Sequence, residues 1–247
     1  MTGQDDRVAI VTGGGRGIGT AIVRRLAEAG YAVAINCNRS VADAERLAEE
    51  VRQGGGRTVV LPGSIADPAT GPMLAERTLA EWGRIDALVN NAGVNRDVVM
   101  RKMTDQQFTE VIDTNLTGTH RVTRAVLEPM CEAGFGRIVS IASFVGQLGN
   151  YGQANYAASK GGLIAWTKTL ACEVARYGVT VNCVCPGFID TDMLRGVSER
   201  VMERLLARVP LGRFGDADDV ARGVVYLVRD GAYVTGTCLN INGGLYM

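Results

Sequence analysis

The chain has 247 residues, 47% of them hydrophobic and 21% charged, and its 26 Lys plus Arg balance 26 Asp plus Glu. Zero net charge without a long basic run offers no grip on nucleic acid or an anionic membrane, so the expected partner is a small molecule. The apolar share excludes a disordered chain, and the length suits a single domain, 1–247, around one large core.

The N-terminal MTGQDDRVAI lacks the charged-then-apolar leader of a signal peptide, and the longest apolar stretches are only strand-length. A cytoplasmic location is therefore expected. Seven short apolar runs follow in order: RVAIVT, YAVAIN, RTVVLP, DALVNN, GRIVSIA, GVTVNCVCP and CLNIN. They alternate with helix-length segments. That pattern predicts a seven-stranded, mostly parallel sheet with helices on both faces, a single-domain, doubly wound α/β fold of Rossmann type.

After the first run, TGGGRGIG (Thr12 to Gly19) opens a helix. Glycine lets the chain turn sharply and lets a pyrophosphate approach backbone N–H groups at the positive end of a helix dipole. The spacing Gly13, Gly17, Gly19 differs from GxGxxG and lacks a GK[ST] ending, so the turn alone fits a dinucleotide site or a structural bend. The second run ends Asn36-Cys37-Asn38-Arg39-Ser40. An NAD site carries an acidic residue there, whereas Asn38, Arg39 and Ser40 suit a 2′-phosphate, which favours NADP(H). The plainer alternative is a solvated Arg39 and a Ser40 that only caps the next helix. That helix, SVADAERLAEEVRQ, stops at Gly54 to Gly56, and Thr104 with Gln107 predicts a capping box before FTEVIDTNL.

With a single histidine in the chain, any acid–base chemistry near neutrality has to find another carrier. The stretch QANYAASKGG places Tyr156 and Lys160 four apart, on one face of a helix, where the ammonium is expected to favour the phenolate. Ser143 follows the fifth run, at the sheet edge where ligands bind in this architecture. Asn115 lies in VIDTNLTGTH, where it is expected to hold a helix open and position a water that feeds protons to Lys160. The six cysteines read as small core groups of a reducing compartment. Cys183 and Cys185 fall on one face of a buried strand, and because no His or Cys pair follows them, no metal is expected. The amphipathic segment from Leu194 to Pro210 is expected to be helical, a lid over a substrate.

Together these residues resemble the short-chain dehydrogenase/reductase family from Val8 to Met247. TGGGRGIG, with Gly13, Arg16, Gly17, Ile18 and Gly19, fits the family's TGxxxGxG. NNAG, with Asn91, Ala92 and Gly93, fits its cofactor-floor motif, and Asn115, Ser143, Tyr156 and Lys160 fit its tetrad. Pro186, Gly187, Ile189 and Thr191 match the segment that clasps the nicotinamide. The resemblance implies a cofactor half at about 1–115, a catalytic and substrate half at about 116–247, a lid at about 190–210, and a homotetramer with the Asn155–Tyr177 helix in an interface.

GQANYAASKGGL, PGFIDTDM and NGGLYM look most like members that reduce 3-oxoacyl thioesters on acyl carrier protein, as in fatty acid biosynthesis. The resemblance implies that Tyr156 protonates the nascent alkoxide, Ser143 hydrogen-bonds that oxygen, and Lys160 bonds the nicotinamide ribose while lowering the Tyr156 pKa. Ser64-Ile65 replaces a "DV" pair for adenine, and Gly134 and Cys172 stand where carrier-protein reductases often place arginines. The rival substrates are acetoacetyl-CoA and polyketide intermediates, and the rival activity is that of another NADP-dependent alcohol dehydrogenase.

Overall fold

The computed structural model describes residues 7–190 and 199–247. Seven strands form one sheet: β1 (Val8–Val11), β2 (Ala32–Cys37), β3 (Thr58–Pro62), β4 (Ala87–Asn90), β5 (Gly136–Ile141), β6 (Val179–Pro186) and β7 (Cys238–Ile241). Their order is β3-β2-β1-β4-β5-β6-β7, and every neighbouring pair is parallel. The expected architecture is therefore present, with a sheet wholly rather than mostly parallel. All residues of β1, β2, β4, β5 and β6 are buried, as strands covered on both faces must be.

The helices are α1 (Gly17–Glu28), α2 (Val41–Gln53), α3 (Thr70–Trp82), α4 (Asp105–Ile112), α5 (Thr119–Glu132), α6 (Val145–Leu148), α7 (Ala154–Val174), α8 (Glu199–Leu206) and α9 (Ala217–Val225). Successive strand residues point to opposite faces and divide the core in two. Val11, Val33 and Val89 pack with Ile22 and Leu26 of α1, Leu47 of α2 and Val224 of α9. Ile10, Leu88 and Ile138 pack with Leu74 of α3, Val126 of α5 and Leu170 of α7. Each fully buried Leu or Ile contributes about 1.5–3 kcal/mol of transfer free energy, so the two clusters fix the sheet between its helix layers.

Local signals explain several boundaries. The capping box forms, with Thr104 N–H donating to Gln107 Oε1 (3.0 Å) and Gln107 N–H to Thr104 Oγ1 (3.2 Å). Ser40 does precede α2, yet its side chain makes no cap because its backbone (φ −92°, ψ 46°) departs from the extended geometry a cap needs. Its hydroxyl lies instead 2.7 Å from where a Cβ on Gly15 would stand, against the first glycine turn. The helix expected through FTEVIDTNL is interrupted, and Asp113–Gly118 form a π-turn between α4 and α5. Of the expected lid, residues 191–198 lie outside the described residues; α8 buries no residue within the chain.

Candidate active site

The strand order reverses between β1 and β4, and the chain segments leaving these strands meet there. Gly13 has φ +63°, and a Cβ on it would stand 2.8 Å from Ala92 Cα; a Cβ on Gly19 would stand 2.2 Å from the Gly13 carbonyl oxygen. Only glycine fits at these two positions. Asn91 Nδ2 donates to the Thr12 and Gly13 carbonyls (3.0 and 2.9 Å), while Thr12 Oγ1 accepts from Asn91 and Ala92 N–H (3.0 and 3.1 Å). The glycine turn and the NNAG loop are thereby locked together. Arg16 stands at the N-cap of α1 without capping it, and Gly17, Ile18 and Gly19 begin a first turn with no acidic residue. Such a turn leaves its N–H groups free for an anion.

At the end of β2, Asn36 is buried and donates to the Leu61 and Gly63 carbonyls (3.0 and 2.9 Å), pinning β2 to the segment after β3. Asn38 and Arg39 are exposed beside the half-buried Ser40, with no carboxylate in the stretch. Ser64 is half-buried and Ile65 buried, and a Cβ on Gly118 would stand 2.7 Å from the Ile65 carbonyl oxygen. The π-turn is thus seated against the segment after β3.

Four segments bring the catalytic candidates together. Ser143, two residues past β5, is buried and its Oγ accepts from Val145 N–H (3.1 Å). Its side chain also hydrogen-bonds the half-buried Tyr156, in the first turns of α7. One turn on, the buried Lys160 donates from Nζ to the Ile141 carbonyl (2.6 Å), and its Nζ lies 5.6 Å from the Tyr156 ring centroid. Asn115 sits in the π-turn, donating to the Val94 carbonyl (2.9 Å) and Ser159 Oγ (3.1 Å) and accepting from Val94 N–H (2.8 Å). A Cβ on Gly93 would stand 3.2 Å from Asn115 Oδ1 and 3.7 Å from Lys160 Nζ, which places both at the NNAG loop.

The electrostatics differ from the sequence expectation. Burial pushes the Tyr156 phenol up to about 12, against the Ser143 hydrogen bond, which pulls it down, and with the Asp97 charge adding to the rise. Burial also brings Lys160 down to about 8, opposed by Cys185 and Cys183. The ammonium therefore does not make the phenol acidic here. It is itself poorly solvated, and it spends its shortest hydrogen bond on a backbone carbonyl. At neutral pH the site holds a neutral phenol, a proton donor, beside a cation close to losing its proton.

Beyond β6, Gly187 N–H donates to the Ile241 carbonyl (3.0 Å), and a Cβ there would stand 2.7 Å from Asn242 Cα. Pro186 ends the strand and the buried Ile189 bridges to Gly215; Thr191 lies outside the described residues. The sequence reading missed Asn155. It is fully buried, donates to the Arg96 and Gln107 carbonyls (3.0 and 3.1 Å) and accepts from Tyr156 N–H (2.8 Å), so it fixes the entry of α7. It also missed Ser159, which receives Asn115 and donates to the Tyr156 carbonyl (2.8 Å). Polar residues on the inward face of an otherwise apolar helix were the available signal. Finally, Cys183 and Cys185 do have a partner: Cys238, 55 residues beyond Cys183 and hidden from any local spacing rule.

Residues 7–201 match the family described as short chain dehydrogenase. The chain is 43% identical to the 3-oxoacyl-[acyl-carrier-protein] reductase FabG of Escherichia coli (strain K12) over 244 residues, 98% of each protein. It is equally similar, with the same coverage, to that of Salmonella typhi, and 41% identical to that of Staphylococcus aureus (strain Mu50) over 240 residues, 97% of this chain and 98% of the relative. The chain belongs to the short-chain dehydrogenase family. It is thereby an oxidoreductase of the kind that works with a nicotinamide cofactor. Among the described residues no helix is long and apolar enough to cross a membrane.

Proposed function

We propose that this enzyme reduces a 3-oxoacyl thioester to the 3-hydroxyacyl thioester with NADPH. The observation that carries the reading is the convergence of buried Ser143 and Lys160 with Tyr156 beside the NNAG loop, the Lys160 Nζ 5.6 Å from the Tyr156 ring centroid. Relatives 41–43% identical over nearly the whole chain are reductases of 3-oxoacyl groups on acyl carrier protein.

The residues present fit the cofactor. The acid-free first turn of α1 and the bare glycine turn would take its pyrophosphate; Asn38, Arg39 and Ser40 would take a 2′-phosphate; Ser64 and Ile65 would border the adenine. Asn91, Ala92 and Gly93 would floor the site. Lys160 would reach the nicotinamide ribose, and Pro186, Gly187, Ile189 and Thr191 would close around the nicotinamide. When bound, NADPH supplies the hydride for the keto carbon. Tyr156 delivers its proton to the carbonyl oxygen as that oxygen gains charge, and Ser143 donates a hydrogen bond to the same oxygen. Asn115 holds the π-turn against Val94 and Ser159 and so positions Gly93 and Lys160.

The division into a cofactor half (about 1–115) and a catalytic half (about 116–247), with a lid near 190–210, is part of the proposal, supported by where the site residues fall and by the unburied α8. So is a homotetramer, because α7 leaves Ala154, Ala158 and Ala165 exposed on its outer side, small residues that allow close helix packing. A cytoplasmic setting suits six free cysteines. Exposed Gly134 and Cys172 offer no cation to an acidic carrier, which favours a CoA thioester as the second reading of the substrate.

The test is NADPH oxidation across 3-oxoacyl thioesters on acyl carrier protein and on CoA. Tyr156→Phe is expected to cut turnover by about 10²- to 10⁴-fold while leaving NADPH affinity within a few-fold. Turnover close to wild type in that variant rejects the role given to the phenol.

A further inference from the structure

Cys183 and Cys185 lie two apart on β6 and so share one face of the sheet, packed with Ala142 and Leu163. Edge strand β7 sets Cys238 in register with Cys183, and Cys183 Sγ donates to Cys238 Sγ at 3.3 Å. All three sulfurs fall within 4.8 Å of one another. Cys183 and Cys185 are fully buried and Cys238 is half-buried, so the cluster is walled by protein and reachable from one side.

A cation held at about 2.3 Å by three sulfurs spreads them about 4 Å apart, which the observed spacing straddles. Zinc in closed sites takes four ligands, and among the described residues this group offers only three. Thiolates select soft ions, and Cu(I) accepts three-coordination. We infer that Cys183, Cys185 and Cys238 bind one soft d10 cation through three sulfurs, Cu(I) being the ion they satisfy. The inference stands apart from the reductase reading.

Loading releases the thiol protons to solvent, so affinity weakens in acid. The ion would tie β6 to β7 beside Pro186, and Ala142, packed against the cysteines, is the residue before Ser143.

The test is an anaerobic titration of the reduced, metal-free full chain with Cu(I) against a chromophoric Cu(I) chelator, alongside Zn(II). Expected are one tightly held Cu(I) per chain, three sulfur scatterers at about 2.3 Å by X-ray absorption, and zinc bound at least about tenfold more weakly. C238S, which removes a direct ligand, should lose at least the roughly 10- to 100-fold in affinity that an outer-shell partner costs, whereas C172S, at an exposed cysteine of α7, should not. No competing equivalent, fewer than three sulfurs, unchanged affinity in C238S, or zinc as tight as Cu(I) would each overturn the assignment. The absorption measurement on the wild-type chain decides the matter even if C238S folds poorly.

Discussion

Replacing Lys160 with methionine should stabilise the protein while disabling it. Lys160 is buried, and its ammonium stands at about 8 against an ordinary 10.5. Each pH unit is worth about 1.4 kcal/mol, so keeping the charge inside costs the folded state about 3 kcal/mol at pH 7. Methionine has a similar length and no charge; it leaves the buried Ile141 carbonyl without this donor, at a cost of about 1–3 kcal/mol. The net expectation is a gain of up to about 2 kcal/mol at neutral pH. Below pH 8 both states of the wild type hold the proton and the penalty is complete. Between 8 and 10.5 the unfolded chain binds a proton the folded one has released, so wild-type stability rises with pH and the advantage of the variant shrinks. Above 10.5 the sign reverses, leaving Lys160→Met about 1–3 kcal/mol less stable. Urea unfolding of the cofactor-free proteins at matched chain concentration, from pH 7 to 10.5, measures the difference; effects of Tyr156 on both proteins cancel in it. A variant less stable than wild type at pH 7, or a difference that does not change with pH, would refute the reasoning.

The same lysine shapes catalysis. The pH profile of kcat/KM for NADPH, which reports the free enzyme, should fall above about pH 8 as Lys160 loses its proton, and Tyr156 should add no second fall below about pH 12. Gly19→Ala puts a Cβ 2.2 Å from the Gly13 carbonyl oxygen, so it should cost about 1–3 kcal/mol by thermal unfolding and lower NADPH affinity in titration. Asn115→Ala strands the Val94 N–H and carbonyl, about 1–3 kcal/mol for each buried group left unpaired; calorimetry should show the loss, and hydrogen exchange should rise at Val94 first.

What the sequence disclosed and what it hid follow from the range of the interactions. The inner strands of the sheet were legible because burial on both faces writes itself as apolar runs such as VAIV and, Asn36 apart, AVAINC. The capping box at Thr104 is equally local. The tetrad positions were legible through spacing, yet their electrostatics were not. An i, i+4 argument sees a cation one turn from a phenol; it does not see that Ile141 and the helix layers desolvate both. Asn155 and Ser159 escaped because a polar residue within a helix acquires meaning only from the loops it reaches, here at Arg96, Gln107 and Asn115. Cys238 escaped because register across parallel strands, not spacing along the chain, sets it beside Cys183.

The raised phenol bears on the direction of the reaction. To accept a proton from an alcohol, Tyr156 would first have to ionise, which at pH 7 costs about 7 kcal/mol from a value near 12, against about 4 kcal/mol for a phenol in water. To give a proton to a carbonyl oxygen it needs no such preparation. Lys160, near 8, changes charge close to neutrality and can follow the loss of that proton without a comparable barrier. Desolvation thus keeps the resting phenol protonated near neutrality, the state from which reduction starts and which oxidation must first ionise, and that cost to oxidation falls as pH rises. A ratio of reductive to oxidative kcat that stays flat between pH 7 and 10, measured on one substrate pair, would show that the phenol is not the group setting the direction.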